Sequence, residues 1–131
     1  MDRINITPFI GTELYKLGMT FEETKKSLND NDIQIIENKK GKKIIDGIVS
    51  MKFVDDKLSE FSILENSQVF FENLEVFTNT FHETLKQKYD SVYKYGFLIF
   101  NQIGIALSGY VDKEEQKTIT VYSKGAWNHI L

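Results

Sequence analysis

The chain has 131 residues, 41% hydrophobic, 13% aromatic and 27% charged, with a formal net charge of −3; this is the composition of one globular domain, long enough to bury a core without staples. Cysteine is absent, which excludes disulfides and thiolate metal sites. Arg3 stands alone beside fifteen lysines, a poor endowment for bidentate grip on phosphates or guanine edges.

The opening Met-Asp-Arg-Ile-Asn-Ile lacks the apolar run of a secretory signal, and no stretch approaches the ~20 apolar residues of a membrane span. The expectation is a single cytoplasmic domain, residues 1–131, with no membrane association. An extended piece at 4–6 is followed by a turn region from Gly11 to Gly18. Thr20 and Glu23 then form a Ser/Thr-x-x-Glu capping box that opens a helix, and Lys25 and Lys26 suit the negative pole at its end. Asn29, Asp30, Asn31 and Asp32 break the chain. Strands are expected at 33–36 and 43–45 around a lysine-rich turn, and at 48–54 and 58–64 around Asp55, Asp56 and Lys57. Met51, Phe53, Phe61 and Ile63 alternate with polar residues, the period of a half-buried antiparallel pair.

Residues 69–77 fit two patterns. Phe70, Leu74, Phe77 and Phe81 keep helical spacing, whereas Val69, Phe70 and Phe71, then Asn73, then Val76 and Phe77 describe a strand with a bend. The strand is preferred, because Thr80 and Glu83 supply a second capping box just ahead. Three more strands follow at 97–100, 103–110 and 117–122, with Asp112, Lys113, Glu114 and Glu115 at a hairpin tip.

Residues 20–26 and 80–86 match at five of seven positions, sixty residues apart. Each is followed by short strands and an acidic hairpin. The two halves read as a degenerate repeat of one unit, a helix on an antiparallel sheet; independent convergence on the same helix-start chemistry gives the same match. The fold class is α+β, an antiparallel sheet of about seven strands with two helices on one face. The other face is left partly open, a natural place to bind something.

Bond-making chemistry finds little to work with. None of Ser50, Ser59, Ser62, Ser108 and Ser123 sits in a Gly-x-Ser-x-Gly elbow. His82, on the expected polar face of the second helix, and His129, near the end, read as surface histidines. Asp30, Asp32 and the 112–115 tip lack calcium-loop spacing, and turns are where such residues belong. No phosphate-cradling glycine pattern occurs. No catalytic residue, metal ligand or cofactor is therefore assigned. Lys39, Lys40, Lys42 and Lys43 around Gly41 would suit a nucleic-acid backbone or an acidic partner, or equally a charged tip that discourages edge pairing. No aromatic ladder accompanies them.

What remains is binding-surface material. Asp55, Asp56, Glu60, Glu72, Glu75, Asp112, Glu114 and Glu115 fall on tips or solvent faces. Trp127, the only tryptophan, suits an interface hot spot or a core plug near the end, and Tyr93, Tyr95 and Tyr110 could join it in a patch or fill a sheet core.

Residues 17–23, Leu-Gly-Met-Thr-Phe-Glu-Glu, after Pro8, Phe9, Ile10 and Gly11, resemble the opening of a group of small bacterial proteins. Residues 96–107 and 116–127 resemble their close. The group is similar to immunity proteins of polymorphic and contact-dependent growth inhibition toxin systems. That resemblance implies a non-enzymatic cytoplasmic inhibitor, a monomer or weak dimer, that binds the C-terminal domain of a cognate toxin rather than nucleic acid. The repeated helix-plus-sheet unit also resembles the β-lactamase inhibitor protein family, which uses disulfides this chain cannot form; it contributes the idea of a two-unit sheet gripping a protein. Acidic tips would suit a nuclease toxin, whose substrate cleft is basic. The alternative is a small-ligand or nucleic-acid binding module using the open sheet face.

Overall fold

The computed structural model describes residues 3–28, 32–66, 68–111 and 115–131. Asn29, Asp30 and Asn31 of the breaker cluster, and Asp112, Lys113 and Glu114 of the second acidic tip, lie outside them. The chain opens with β1 (Ile4–Ile6) and, after a run of turns, α1 (Phe21–Ser27). An antiparallel meander follows: β2 (Ile33–Asn38), β3 (Gly41–Asp46), β4 (Val49–Val54) and β5 (Lys57–Leu64). The short strands β6 (Val69–Phe71) and β7 (Leu74–Glu75) lead into α2 (Phe81–Lys88). A second meander closes the chain: β8 (Val92–Lys94), β9 (Phe97–Phe100), β10 (Ile105–Ser108) and β11 (Thr118–Tyr122), then a 3₁₀ turn at Asn128–Ile130.

The architecture is the expected α+β class, organised as two copies of one unit. Each unit is a helix followed by four antiparallel strands, and the two meanders join through their last strands in an eight-stranded sheet ordered β2-β3-β4-β5-β11-β10-β9-β8. At the seam Phe61 faces Val121, sixty residues on, the same separation as Thr20 and Thr80. That coincidence is what a two-fold repeat demands, because equivalent residues of two equivalent antiparallel strands meet where the axis passes.

The structure differs from the expected seven strands by having eight in the main sheet and three in a second one, ordered β1-β6-β7. β8 went unread because all three of its residues are exposed, so it carries no alternation to detect. Residues 69–77 resolve as a hairpin: β6 and β7 flank Glu72 and Asn73, both with positive φ, a two-residue turn whose twist matches the strands. β1 pairs parallel with β6, from Ile4 opposite Val69 to Ile6 opposite Phe71, a contact with no local signature.

The main core lies between the sheet and the helices with the small sheet. β4 alternates without exception, burying Val49, Met51 and Phe53 and exposing Ser50, Lys52 and Val54. α1 sets Phe21 edge-on to Phe53 with centroids 5.3 Å apart, and α2 sets Phe81 against Phe71 at 6.3 Å. The Tyr110 hydroxyl, buried in the same core, donates to the Val76 carbonyl.

One expected capping box forms and the other does not. At Thr20 the Glu23 N–H donates to Thr20 Oγ1 at 3.1 Å, and the Thr20 N–H donates to Glu23 Oε1 at 3.0 Å. The backbone hydrogen bond from Thr20 also holds the exposed Glu23 carboxyl below its usual range. Thr80 makes no side-chain cap, because its ψ of −4° already places it in the helical region, whereas an N-cap side chain reaches back only from extended backbone. We therefore expect Thr20→Ala to lose about 1 kcal/mol of stability and Thr80→Ala no more than a few tenths, a contrast that paired urea titrations would measure.

Candidate functional site

The sheet face opposite the helices divides into two unlike halves. Register places Gln34, Ile45, Ser50, Ser62, Thr120, Ala106, Ile99 and Val92 in one continuous row across all eight strands. A parallel row runs Ile36, Lys43, Lys52, Glu60 and Tyr122. Near the seam the Ser62 and Thr120 hydroxyls share a hydrogen bond of 2.8 Å.

Over the second half the chain folds back on itself. Ile99, Ala106, Tyr122 and Trp127 form a separate buried cluster, with Phe97, Ala126 and Ile130 packed against it. The Trp127 indole stacks on Tyr122, 4.8 Å between centroids and 10° between planes, and meets Phe97 edge-on at 5.2 Å. Its Nε1–H donates to Glu60 Oε1 at 3.3 Å. The cover is anchored where a bulge interrupts the β4–β5 ladder: the Ser59 carbonyl accepts both the N–H and the hydroxyl of Ser123, at 2.9 and 3.1 Å.

The first half stays open. Gln34, Lys43, Ser50 and Lys52 are exposed on it and Ile36 and Ile45 half-buried, while Val54 and Leu64 stand 47% and 40% exposed toward opposite ends. A shallow depression of about 450 Å³ lies where this half meets the cover, lined by Val54, Lys57, Ser59, Lys124, Gly125 and Ala126 among others. Aliphatic side chains, hydroxyls and lysines thus share one flat face on paired strands.

The expected partner-binding residues scatter over the molecule. Asp55 and Asp56 form the β4–β5 turn, with φ of 51° and 66°; Asp56 accepts the Phe21 N–H through its carbonyl and pairs loosely with Lys42 at 3.8 Å. Glu60 lies on the open side, half-buried beside the cover. Glu72 and Glu75 belong to the β6–β7 hairpin on the covered side, where Glu72 accepts the Tyr89 hydroxyl at 2.7 Å and pairs with Lys88 at 3.4 Å. Glu115 is exposed at the other end of the seam from Asp55 and Asp56; at roughly 3.3 Å per residue the eight residues of β5 separate the two tips by about 25 Å. Asp112 and Glu114 fall outside the described residues. Among the described residues these acids make no single patch, and of them only Glu60, with Asp55 and Asp56 at the rim, borders the open half. Trp127, 6% exposed, is the plug of the second cluster rather than a displayed anchor.

Three further expectations meet the packing. His82 is not on a polar surface: its side chain is only 13% exposed, its ring lies 5.6 Å from Tyr110 and its Nε2 is 4.0 Å from Glu83 Oε1. The tyrosines do not gather around Trp127; Tyr110 is buried in the main core, while Tyr93 and Tyr95 are exposed on the β8–β9 hairpin. Lys39 and Lys40 do form a hairpin tip, between β2 and β3. Sequence reasoning missed the open row itself, although the alternation of Ser50 and Lys52 with buried neighbours was its available signal.

Four tyrosine ionisations are displaced by burial or by hydrogen bonds to carboxylates. Burial, with the hydrogen bond to Asp46 at 2.8 Å, raises the Tyr15 phenol. Burial also raises Tyr110, and it lifts Tyr122 to about 12. The hydrogen bond to Glu72 raises Tyr89. Among the described residues no group of three or more His, Cys, Asp or Glu side chains could hold a metal ion, and no helix is long and apolar enough to cross a membrane. Comparison of the chain with protein-family models, curated proteins and solved structures gives no match.

Trp127→Ala should cost about 3–5 kcal/mol through the cavity left on the sheet, measurable by urea denaturation. The Tyr122 phenol is held neutral in the folded state to about 12, against 10.0 ordinarily. Its contribution is therefore complete below pH ~10 and fades as pH rises through about 12. Tyr122→Phe should flatten that part of the stability profile, as urea midpoints taken across alkaline pH would report.

Proposed function

We propose that the protein is a cytoplasmic immunity protein that neutralises a cognate toxin domain by direct association, through the open first half of its eight-stranded sheet. The observation that carries this reading is the unequal treatment of one sheet face. The chain's own end covers the second half with an aromatic plug, and the first half is left with exposed Val54, Leu64, Ser50, Lys43 and Lys52. Held by strand pairing on both sides, such a face loses little freedom on binding, which is where preorganised binders gain affinity.

The resemblance supports the same reading from another direction. Its opening stretch forms the Thr20 capping box and the approach to α1, and its closing stretches form β9, β10, β11 and the plug. These residues maintain the scaffold and leave the open half to match its partner. A nuclease is the toxin class that suits the charge. Asp55 and Asp56 at one end of the seam and Glu115 at the other would act at a distance, steering a basic surface toward the face, rather than imitating a run of phosphates.

The small-ligand alternative has one observation in its favour, a groove of about 800 Å³ lined by Arg3, Asn5, Thr12, Glu13, Leu14 and Tyr15 among others. It lies away from the open face and is bordered by polar side chains of both signs.

Co-expression with the C-terminal domain encoded by an adjacent toxin gene should restore growth and co-purify an equimolar complex. Ser50→Arg combined with Lys52→Glu changes only exposed side chains and should weaken that complex at least tenfold. Replacing Asp55 and Asp56 with lysine should slow association at low salt and have little effect at high salt. Undiminished affinity in the first variant would refute the open face as the docking surface.

A further inference from the structure

Among the described residues, six besides glycine hold left-handed backbone: Phe9, Asp55, Asp56, Glu72, Asn73 and Tyr95. Asp55 with Asp56, and Glu72 with Asn73, are the central pairs of two-residue hairpin turns, and Asp and Asn tolerate that conformation well. The two aromatic residues are the costly cases.

For Phe9 the cost has an evident offset. Its ring lies against Gly104, so close that a Cβ at that glycine would come within 2.8 Å of Phe9 Cε1. Tyr95 has no such offset. With φ of 53° it begins the β8–β9 turn and Gly96 completes it at 82°, a turn whose first place favours asparagine, aspartate or glycine. The side chain standing there is 79% exposed, the most exposed large hydrophobic side chain among the described residues. No hydrogen bond, ion pair or ring contact joins it to any of them. A strained backbone that displays an aromatic ring to solvent serves nothing inside the molecule, and such outliers gather at binding sites.

The surroundings extend the display. β8 is a terminal strand of the sheet, paired only with β9, and Val92, Tyr93 and Lys94 are all exposed along it. Asp90 and Lys94 are the charged residues between 89 and 97 and cancel each other, so the hairpin offers no grip on phosphates. Tyrosine contributes a large amphipathic surface with few rotamers to immobilise, the property that favours it as an interface anchor.

We propose that the β8–β9 hairpin is a second contact with the protein partner, in which the Tyr95 ring enters an apolar recess, flanked by Tyr93. This rests on the binding function proposed above and names the chemistry of one contact in it.

The test is Tyr95→Asn, with Tyr95→Phe beside it, each titrated calorimetrically against the purified toxin domain encoded by the adjacent gene. The asparagine variant should melt roughly 2–4 °C higher, because its backbone is no longer strained, yet bind about 30-fold more weakly. The phenylalanine variant should keep most of the affinity. Wild-type binding that Tyr95→Asn leaves unchanged would overturn the hairpin contact while leaving the proposed function standing. A lower melting temperature for Tyr95→Asn would show that the side chain already has an internal role, and would overturn it too. Wild-type protein that neither binds the toxin domain nor protects cells would remove the proposed function, and the contact with it. A single-stranded oligonucleotide bound by the wild type and released by Tyr95→Asn would assign the tyrosines to stacking on bases instead.

Discussion

The pairing of β5 with β11 is the constraint on which the rest of the molecule depends. Each meander alone would leave its last strand as a bare edge, with a row of unsatisfied N–H and C=O groups. Joining the two last strands satisfies both rows, from Thr118 opposite Leu64 to Tyr122 opposite Glu60. It also brings Phe61, Ile63, Ile119 and Val121, none of them measurably exposed, into the middle of one continuous core. Two half-cores that could not exclude water separately become one that does. The edges that remain are β2 and the short, lysine-bearing β8.

From that near-symmetric seam the two halves of the sheet differ by the breaking of symmetry. The helices cover one face of both units, but on the other face a single segment, after β11, packs against the sheet. It lies on the second unit, where Trp127 seats against Tyr122 and Phe97. The bulge at Ser59 lets β5 turn toward this cover and present a carbonyl to Ser123. The first unit has no corresponding segment, so the same alternation that buries Met51 and Phe53 leaves Ser50, Lys52 and Val54 facing outward. The open half of the sheet is a consequence of repeating a unit twice and capping it once.

Charge works at a longer range than this face. Among the described residues, Asp55, Asp56 and Glu115 lie at the two ends of the seam, Glu60 on β5, and Glu72 and Glu75 on the β6–β7 hairpin, too dispersed for a single neutralising patch. Their field falls off within about 8–10 Å at physiological ionic strength. In the proposed complex, short-range complementarity would fall to aliphatic and hydroxyl groups on rigid strands, and encounter rate to the acids.

Much of this was legible in the residues themselves. The helix start at Thr20 and Glu23, the alternation of Met51 and Phe53 against Ser50 and Lys52, and the Asp55-Asp56 turn are local chemistry, decided within a few residues of backbone. So was the repeat, because its evidence is a match between two helix starts. The parallel pairing of β1 with β6, the missing cap at Thr80, the half-burial of His82 and the closure of Trp127 over the sheet were not legible. Each depends on groups brought together from distant parts of the chain, or on a backbone angle imposed by neighbours. Local sequence determined which segments are strands and helices and which of their faces is apolar. Only the tertiary structure decided which apolar faces find a cover, because burial belongs to pairs of distant surfaces and not to any one stretch of chain.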